Sequence, residues 1–309
     1  MAVHKREYER YDGPRTSETW RFWILARYAL SRAFQSRLLV IFYVLCFVPM
    51  LVAMAGVYIS HNLDLLATLF PRAGVVPEGV DLLPVNAEFF LALMSFQATL
   101  SVFVAALIGP GLISPDLTNN ALPLYLSRPF SRAEYVLGKF SVLFVLLSLI
   151  TGVPMLVIFF FKSALAGSQW LGENTHLAFA IAAGSLAWVI LISLVAMAAS
   201  AWVRWRPAAA GMLFALFFVP AGFGQAVNGI MRTAWGSLLN AIVVIGTAWN
   251  SLFFINDPER YARAARALHT APRYLDPIPA WSAWLTLAAL CAASLFLLSR
   301  KIRAHEVVR

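Results

Sequence analysis

Long apolar segments separated by short polar ones dominate this chain. Crossing a bilayer takes about 20 predominantly apolar residues in an α-helix, and six segments are about that long or longer. They cover residues 38–59, 89–111, 135–161, 178–203, 208–229 and 281–299. The pattern predicts an all-α integral membrane protein with one transmembrane domain over residues 38–299.

A seventh apolar segment, residues 238–255, leaves the topology open. It is just long enough to cross, but it contains Asn240 and Asn250. If residues 235–255 enter the bilayer and return, the chain has six spans and a re-entrant segment. If the segment crosses, the chain has seven spans, and its last residues change sides.

The composition supports a membrane location. Of the 309 residues, 61% are hydrophobic and only 13% are charged, whereas a soluble domain has about 25% charged residues. The net charge of +9 comes from Lys and Arg that alternate between the predicted sides, so we expect anionic lipid headgroups, and no nucleic acid, as partners.

The positive-inside rule places the N-terminus, loop 112–139 and the turn at residues 204–207 in the cytoplasm. It does not choose between the topologies, because both put 17 basic residues inside and 7 outside.

The two chain ends are basic. In residues 1–37, aromatic and aliphatic side chains alternate with arginines from Ser17 to Phe34, which favours an amphipathic helix in the membrane interface. A plain cytoplasmic extension of the first span is the alternative. These residues show no signal-peptide pattern. Residues 300–309 form a predicted cytoplasmic tail.

The segment between the second and third spans is rich in residues that end or start helices. Gly109-Pro110-Gly111 should end the second span. Ser114 is then placed as an N-cap, with Pro115 at the first helical position and Asp116 where the helix dipole favours a carboxylate. A short helix over residues 115–122 is predicted, stopped by Pro123.

A second helix start follows within the same loop. Ser131 and Glu134 are spaced as a capping box. Phe130 and Tyr135 are placed to form a hydrophobic staple. The third span should therefore begin at a fixed point and at a fixed angle.

This connection also displays apolar side chains on the cytoplasmic side. These are Leu122, Leu124, Tyr125 and Leu126. A turn between two membrane helices needs only a few residues, so this arrangement favours an element that docks into a cleft of a cytoplasmic protein and passes on its motion. The alternative is a well-capped turn.

Residues 116–139 resemble the first cytoplasmic loop of bacterial type 2 ATP-binding cassette (ABC) permeases. The similarity rests on Asp116, Leu124 to Pro129, Ser131-Arg132 and Tyr135 to Lys139. It extends to the amphipathic helix before the first span, the re-entrant segment before the last, and the basic tail, here Arg300 to Arg303. One departure is loop 256–280, whose four arginines are unusual outside the cytoplasm.

The resemblance implies a permease subunit of an exporter in the bacterial cytoplasmic (inner) membrane, with six spans. Loop 112–132 would form the coupling helix that seats in a separate ATPase (nucleotide-binding) subunit. The resemblance assigns this role to Asp116, Asn119, Asn120, Leu122, Leu124, Tyr125 and Arg128. A second permease chain, identical or different, would complete the translocation path.

Sequence motifs for chemistry on this chain are missing. The one Gly-Lys pair, Gly138-Lys139, lacks the other positions of the phosphate-binding loop G-x-x-x-x-G-K-[ST]. We therefore expect ATP and Mg²⁺ to bind the partner subunit, with no cofactor and no catalytic residue here. The five histidines are scattered without metal-ligand spacing, so no metal site is expected.

The interiors of the predicted spans are expected to carry no Asp, Glu, Lys or Arg, which argues against an ion-driven carrier or an intramembrane protease. Polar residues do occur, and the candidates for the translocation path are Gln97, Ser101, Gln225 and Asn228. The alternative is that they hold helices together through hydrogen bonds.

Two function hypotheses follow, from different classes. The first is an ATP-driven exporter subunit. The second is a non-transporting membrane scaffold or assembly factor whose loop binds a partner other than an ATPase. A membrane-embedded enzyme ranks third, because no nucleophile-base pair is found.

Overall fold

The computed structural model describes residues 21–62, 83–119, 121, 131–203, 205–255 and 278–302. Within these residues the chain is helical, with no strand. The α-helices are α1 Arg21–Ala33, α2 Arg37–Leu45, α3 Val48–His61, α4 Ala87–Ile108, α5 Ser114–Thr118, α6 Arg132–Ile150, α7 Gly152–Ala166, α8 Ser168–Trp202, α9 Arg206–Met231, α10 Ala241–Leu252 and α11 Ala280–Lys301. Two 3₁₀ turns occupy Gly109–Gly111 and Trp235–Leu239.

Six helical stretches are long and apolar enough to cross a membrane, as predicted. They are Arg37–His61, Ala87–Thr118, Arg132–Ala166, Ser168–Trp202, Pro207–Met231 and Ala280–Lys301. The protein is an all-α, multi-pass membrane protein. We call the end of the molecule that carries α5 and the start of α6 the loop end, and the opposite end the far end.

Two of the spans are interrupted near a proline. The first breaks at Cys46 and Phe47, before Pro49, and the third breaks at Thr151, before Pro154. Proline has no N–H for the bond to the carbonyl four residues earlier, and its ring crowds that carbonyl. The interruptions therefore follow directly from the sequence.

The fourth span begins about ten residues earlier than its apolar pattern indicates. Residues 168–177 were assigned to a loop, but they form the first turns of α8. They are polar enough to leave the bilayer and still helical, which hydropathy does not detect. The turn from α7 is a single residue, Gly167, whose φ of 88° suits glycine.

Helix α8 lies at the centre of the bundle and packs against α4, α6, α7, α9, α10 and α11. A glycine of α8 lets two of these helices approach it closely. A Cβ on Gly184 would lie 2.8 Å from Met94 Cε of α4 and 3.0 Å from Trp249 Cδ1 of α10. The Trp249 indole N–H donates to the Gly184 carbonyl at 3.0 Å.

The segment after α9 enters the bundle and returns to the far end. The chain reverses at Arg232, which adopts a left-handed φ of 52°, and the 3₁₀ turn packs back along α9, where Gly236 meets Gly224. Helix α10 then runs antiparallel to α8, because Trp249 contacts Gly184 and Phe254 contacts His176.

This geometry makes residues 235–255 a re-entrant segment. The 12 residues of α10 are about 18 Å long, well short of the bilayer core of about 30 Å. Helix α11 starts beside Ser251 and ends beside Trp202 at the loop end. The chain therefore has six spans, and residues 21 and 302 lie at the same end.

Helix α1 is separated from the first span and packs against α6. Ala26 is fully buried and Trp23 and Tyr28 are exposed. The partly buried residues beside Ala26 are Leu25, Ala29, Leu30 and Ala33. At the closest point, a Cβ on Gly138 would lie 2.8 Å from the Phe22 carbonyl oxygen. A helix is present at Arg21–Ala33, and its amphipathic role in the membrane interface stays a prediction.

Candidate functional site

The loop end brings the segment after the second span against two other spans. Helix α4 ends at Ile108, and the Gly109–Gly111 turn leads into α5, as the glycines and proline indicated. Helix α5 is shorter than predicted and ends at Thr118. Its C-terminus is closed by two backbone bonds, from Asn119 N–H to Pro115 at 3.0 Å and from Ala121 N–H to Asp116 at 2.8 Å.

The start of α5 is capped by a side chain from another helix. Ser114 was predicted as the N-cap, but it is the first helical residue. Ser200 of α8 instead accepts the N–H groups of Ile113 at 3.2 Å and Ser114 at 3.1 Å. Its hydroxyl donates to the Pro110 carbonyl at 3.2 Å, so its one donor and both lone pairs are used. Helix α5 is thereby attached to α8.

A buried ion pair attaches α5 to α6. Lys139 Nζ lies 2.7 Å from Asp116 Oδ2, and the two side chains are only 8% and 15% exposed. The Tyr135 hydroxyl donates to the same oxygen at 2.8 Å. Tyr135 and Lys139 are four residues apart, so they share one face of α6. Asp116 therefore does more than favour the helix dipole: it joins α5 to the third span.

The predicted capping box is present at the start of α6. Ser131 N–H donates to Glu134 Oε2 at 2.6 Å, and Glu134 N–H donates to Ser131 Oγ at 3.2 Å. The box fixes where α6 begins, and Tyr135 comes directly after it. Phe130, the other half of the predicted staple, lies outside the described residues.

The structure describes two of the seven residues predicted for the coupling loop. Asp116 is in the ion pair, and Asn119 is exposed at the end of α5. The remaining five lie outside the described residues: Asn120, Leu122, Leu124, Tyr125 and Arg128. Their role in coupling stays a prediction.

Residue-by-residue reasoning missed Lys139. The interior of the predicted third span, residues 135–161, was expected to lack charged side chains, but Lys139 is buried there. A buried lysine in an apolar run requires an acidic partner, and its spacing from Tyr135 was visible. The contribution of Ser200 left no comparable signal, because serines are common in membrane helices.

Two of the translocation-path candidates make contacts between helices. The Gln97 amide donates to the Cys46 carbonyl at 3.1 Å, at the break in the first span. Ser101 accepts the Trp188 indole N–H at 2.8 Å. Trp188 lines a cavity of about 240 Å³ between α4, α8, α9 and α10. These contacts fit helix packing, and a role in the path stays a prediction.

The other two candidates lie on α9. The Asn228 amide donates to Ser237 Oγ at 2.9 Å and so holds the re-entrant segment against α9. Gln225 is exposed on the same helix. Within the described ranges, no group of three or more His, Cys, Asp or Glu residues could hold a metal ion.

The family model described as ABC-2 family transporter protein matches residues 23–300. This match covers nearly the whole chain. The chain belongs to the ABC-2 transporter family. No curated protein matches the sequence.

Membership in the ABC-2 family makes the chain a membrane permease component of an ABC transporter, a class that works with an ATPase subunit in general. The match includes α1 and α11 as well as the loop end. In this ABC-2 permease, α5 is a short helix held by two neighbouring spans. Hydrogen bonds and an ion pair attach a short helix to two spans, with Ser200 on α8 and Tyr135 with Lys139 on α6.

Proposed function

We propose that this chain is the membrane-spanning subunit of an ABC exporter and is coupled through residues 112–132 to a separate ATPase subunit. The attachment of α5 to both α6 and α8 supports the proposal most directly. A displacement of α5 would be passed to Lys139 and Ser200, and so to the third and fourth spans.

The contacts on α5 suit this task because they are buried and directional. Removing one partner from a buried ion pair leaves an uncompensated charge, which costs about 3–5 kcal/mol. Helix α5 therefore resists moving separately from α6. The 3₁₀ turn before it, Gly109–Gly111, connects it to α4. Closure of an ATPase dimer could in this way reach three spans through one short element.

The proposed complex contains two permease chains, identical or different, facing each other across the translocation path. The surfaces of α2 with α3 and of α9 support this. In the most apolar stretch of these two spans, only 22% and 17% of the residues are buried, compared with 50–61% in the second, third and fourth spans. A second chain would cover part of this surface and lipid the rest.

We place the loop end in the cytoplasm of a bacterium, in its inner membrane. The N-terminus, loop 112–139 and the turn at 204–207 carry most of the basic residues, and all lie at this end in the six-span topology. ATP and Mg²⁺ would bind the partner ATPase, because the sequence has no phosphate-binding loop of its own.

The test is affinity capture of the detergent-solubilised chain, with bound proteins identified by mass spectrometry. Three forms are compared: the native chain, one with residues 115–126 replaced by Gly-Ser, and a control with the same replacement at residues 63–74, between the first and second spans. We expect the native and control chains to retain an ATPase and the first replacement to lose it.

Two results would contradict the proposal. Retention of the ATPase by all three forms would place the docking surface elsewhere on the chain. If the folded native chain retains other proteins but no ATPase, the non-transporting scaffold would be the better description.

A further inference from the structure

A cleft of about 350 Å³ opens at the loop end, beside the Asp116–Lys139 ion pair. Its walls are the turn between α1 and α2, the end of α4 and the start of α5. The polar side chains that line it are Tyr28, Arg32, Ser36, Asp116 and Lys139. The known contacts of α5 do not fill this space.

The cleft lies at the level where spans begin and end. Helix α2 begins at Arg37 and α4 ends at Ile108, and both helices contribute to its wall. On the membrane side, Leu38 and Leu107 line it while remaining 64% and 46% exposed. One half of the cleft is therefore polar and the other apolar, as at the boundary between headgroups and acyl chains.

Two groups in the cleft can donate hydrogen bonds to a phosphate. The Arg32 guanidinium forms no ion pair with any described residue, and its forked donors match phosphate geometry. The Ser36 hydroxyl accepts the Leu39 N–H at 3.5 Å, which leaves its own hydrogen free to donate. Tyr28, on the same wall as Arg32, is 74% exposed.

Asp116 supplies a hydrogen-bond acceptor in the same cleft. Tyr135 and Lys139 both bind Oδ2. No group in the described part of the chain donates to Oδ1, although a carboxylate accepts about four hydrogen bonds. Lys139 already balances the charge of the carboxylate, so an ammonium group entering the cleft would gain a hydrogen bond to Oδ1 rather than a new net ion pair.

We propose that the cleft binds the headgroup of a phospholipid that carries a primary amine. Its phosphate accepts hydrogen bonds from Arg32 and Ser36, and its ammonium donates to Asp116 Oδ1. The acyl chains lie along Leu38 and Leu107. The lipid therefore joins α1 and α2 to the helix that we propose for coupling. The site itself rests on the cleft and not on the transport function.

The headgroup is tested with three lipids of identical acyl chains. Phosphatidylethanolamine, phosphatidylcholine and phosphatidylglycerol are titrated into the purified, delipidated full chain, and native mass spectrometry counts the bound molecules. All three have a phosphate, but only the first has N–H donors on its headgroup. We expect it to bind about tenfold more tightly than the other two, the effect of one charge-assisted hydrogen bond.

Arg32→Gln tests the phosphate half of the site. Arg27→Gln is the matched control, because Arg27 is exposed on the same helix and does not line the cleft. Arg32→Gln should weaken the binding of all three lipids about tenfold and preserve the preference for the lipid with the amine. Arg27→Gln should bind as the native chain does.

A steric variant tests the cleft without removing a charge. Gly111 lines the cleft, and a Cβ there meets no atom within 4 Å. Gly111→Leu should fill part of the cleft and abolish the preference for phosphatidylethanolamine. Gly222→Leu, in equally open space on α9, should retain that preference. The proposal is overturned if phosphatidylglycerol or phosphatidylcholine binds as tightly as phosphatidylethanolamine, or if Arg32→Gln and Arg27→Gln behave alike.

Discussion

Asp116 makes several of the contacts that hold the loop end together. It is the first acidic residue of α5, it forms an ion pair with Lys139, and it accepts the Tyr135 hydroxyl. Removing either charge leaves the other in a largely buried environment. The stability of the junction should therefore depend on both members together rather than on each separately.

We expect Asp116→Asn and Lys139→Met each to lower the free energy of unfolding by about 2–4 kcal/mol, somewhat below the cost of breaking a fully buried pair. The double variant should lose less than the sum of the two, because it leaves no unpaired charge. Thermal and denaturant unfolding in detergent measure these differences.

Lys162→Met is the control for removing a lysine charge. Lys162 lies in α7 and forms no ion pair with a described residue, so its replacement should change the unfolding free energy by less than about 0.5 kcal/mol. Strictly additive effects of Asp116→Asn and Lys139→Met would show that the two side chains do not stabilise each other.

At the residue scale, local patterns were predictable and contacts between distant helices were not. The capping box at Ser131 and Glu134 is set by a spacing of three residues, so the sequence determines it. The cap on α5 comes from Ser200, 86 residues after Ser114. Only the packing of α8 against the loop end brings the two together, and no local spacing encodes that packing.

The re-entrant segment decides the topology at the scale of elements. Charge counting does not separate six spans from seven. The contacts of Gly236 with Gly224 and of Trp249 with Gly184 do, because they return the chain to the far end after α10. Residues 255 and 278, on either side of the undescribed residues 256–277, then both lie at the far end.

Single-cysteine labelling checks this topology. Cys46 and Cys291 are replaced by alanine, and Thr68→Cys, Ser127→Cys and Thr270→Cys are introduced one at a time. A membrane-impermeant maleimide is applied to right-side-out and inside-out vesicles. We expect Thr270→Cys to react from the same side as Thr68→Cys, and Ser127→Cys from the opposite side.

Seven spans would give the other pattern, in which Thr270→Cys reacts together with Ser127→Cys. Ser127→Cys and Thr68→Cys serve as each other's controls, because both topologies place them on opposite sides. Labelling of Thr270→Cys with Ser127→Cys would therefore contradict the return of the chain after α10.

Five of the six spans begin within three residues of the predicted position, and α8 begins ten residues earlier than predicted. Hydropathy finds the part of a helix that lies in lipid, because lipid requires apolar side chains and internal backbone hydrogen bonds. It does not find a polar helical extension such as residues 168–177. The breaks at Pro49 and Pro154 were encoded in the sequence, but the apolar pattern runs through both of them.

At the scale of the whole molecule, the central helix α8 runs from the far end to the loop end. Its Ser200 holds the loop end, its Trp188 lines the cavity between α4, α8, α9 and α10, and its Gly184 contacts the re-entrant helix. A change at α5 can therefore reach the cavity along one helix of 35 residues. We propose this connection as the route by which a movement of α5 reaches that cavity.

Docking of the loop on an ATPase is the central claim, and Tyr125→Asp tests it most directly. The chain and its ATPase are reconstituted together in vesicles, and ATP hydrolysis and ATPase retention are measured. Tyr261→Asp, the same change in loop 256–280, is the control.

We predict that Tyr125→Asp inserts normally but loses the ATPase, so that hydrolysis falls to the rate of the free ATPase, while Tyr261→Asp matches the native chain. Native retention and native hydrolysis in Tyr125→Asp would contradict coupling through residues 112–132.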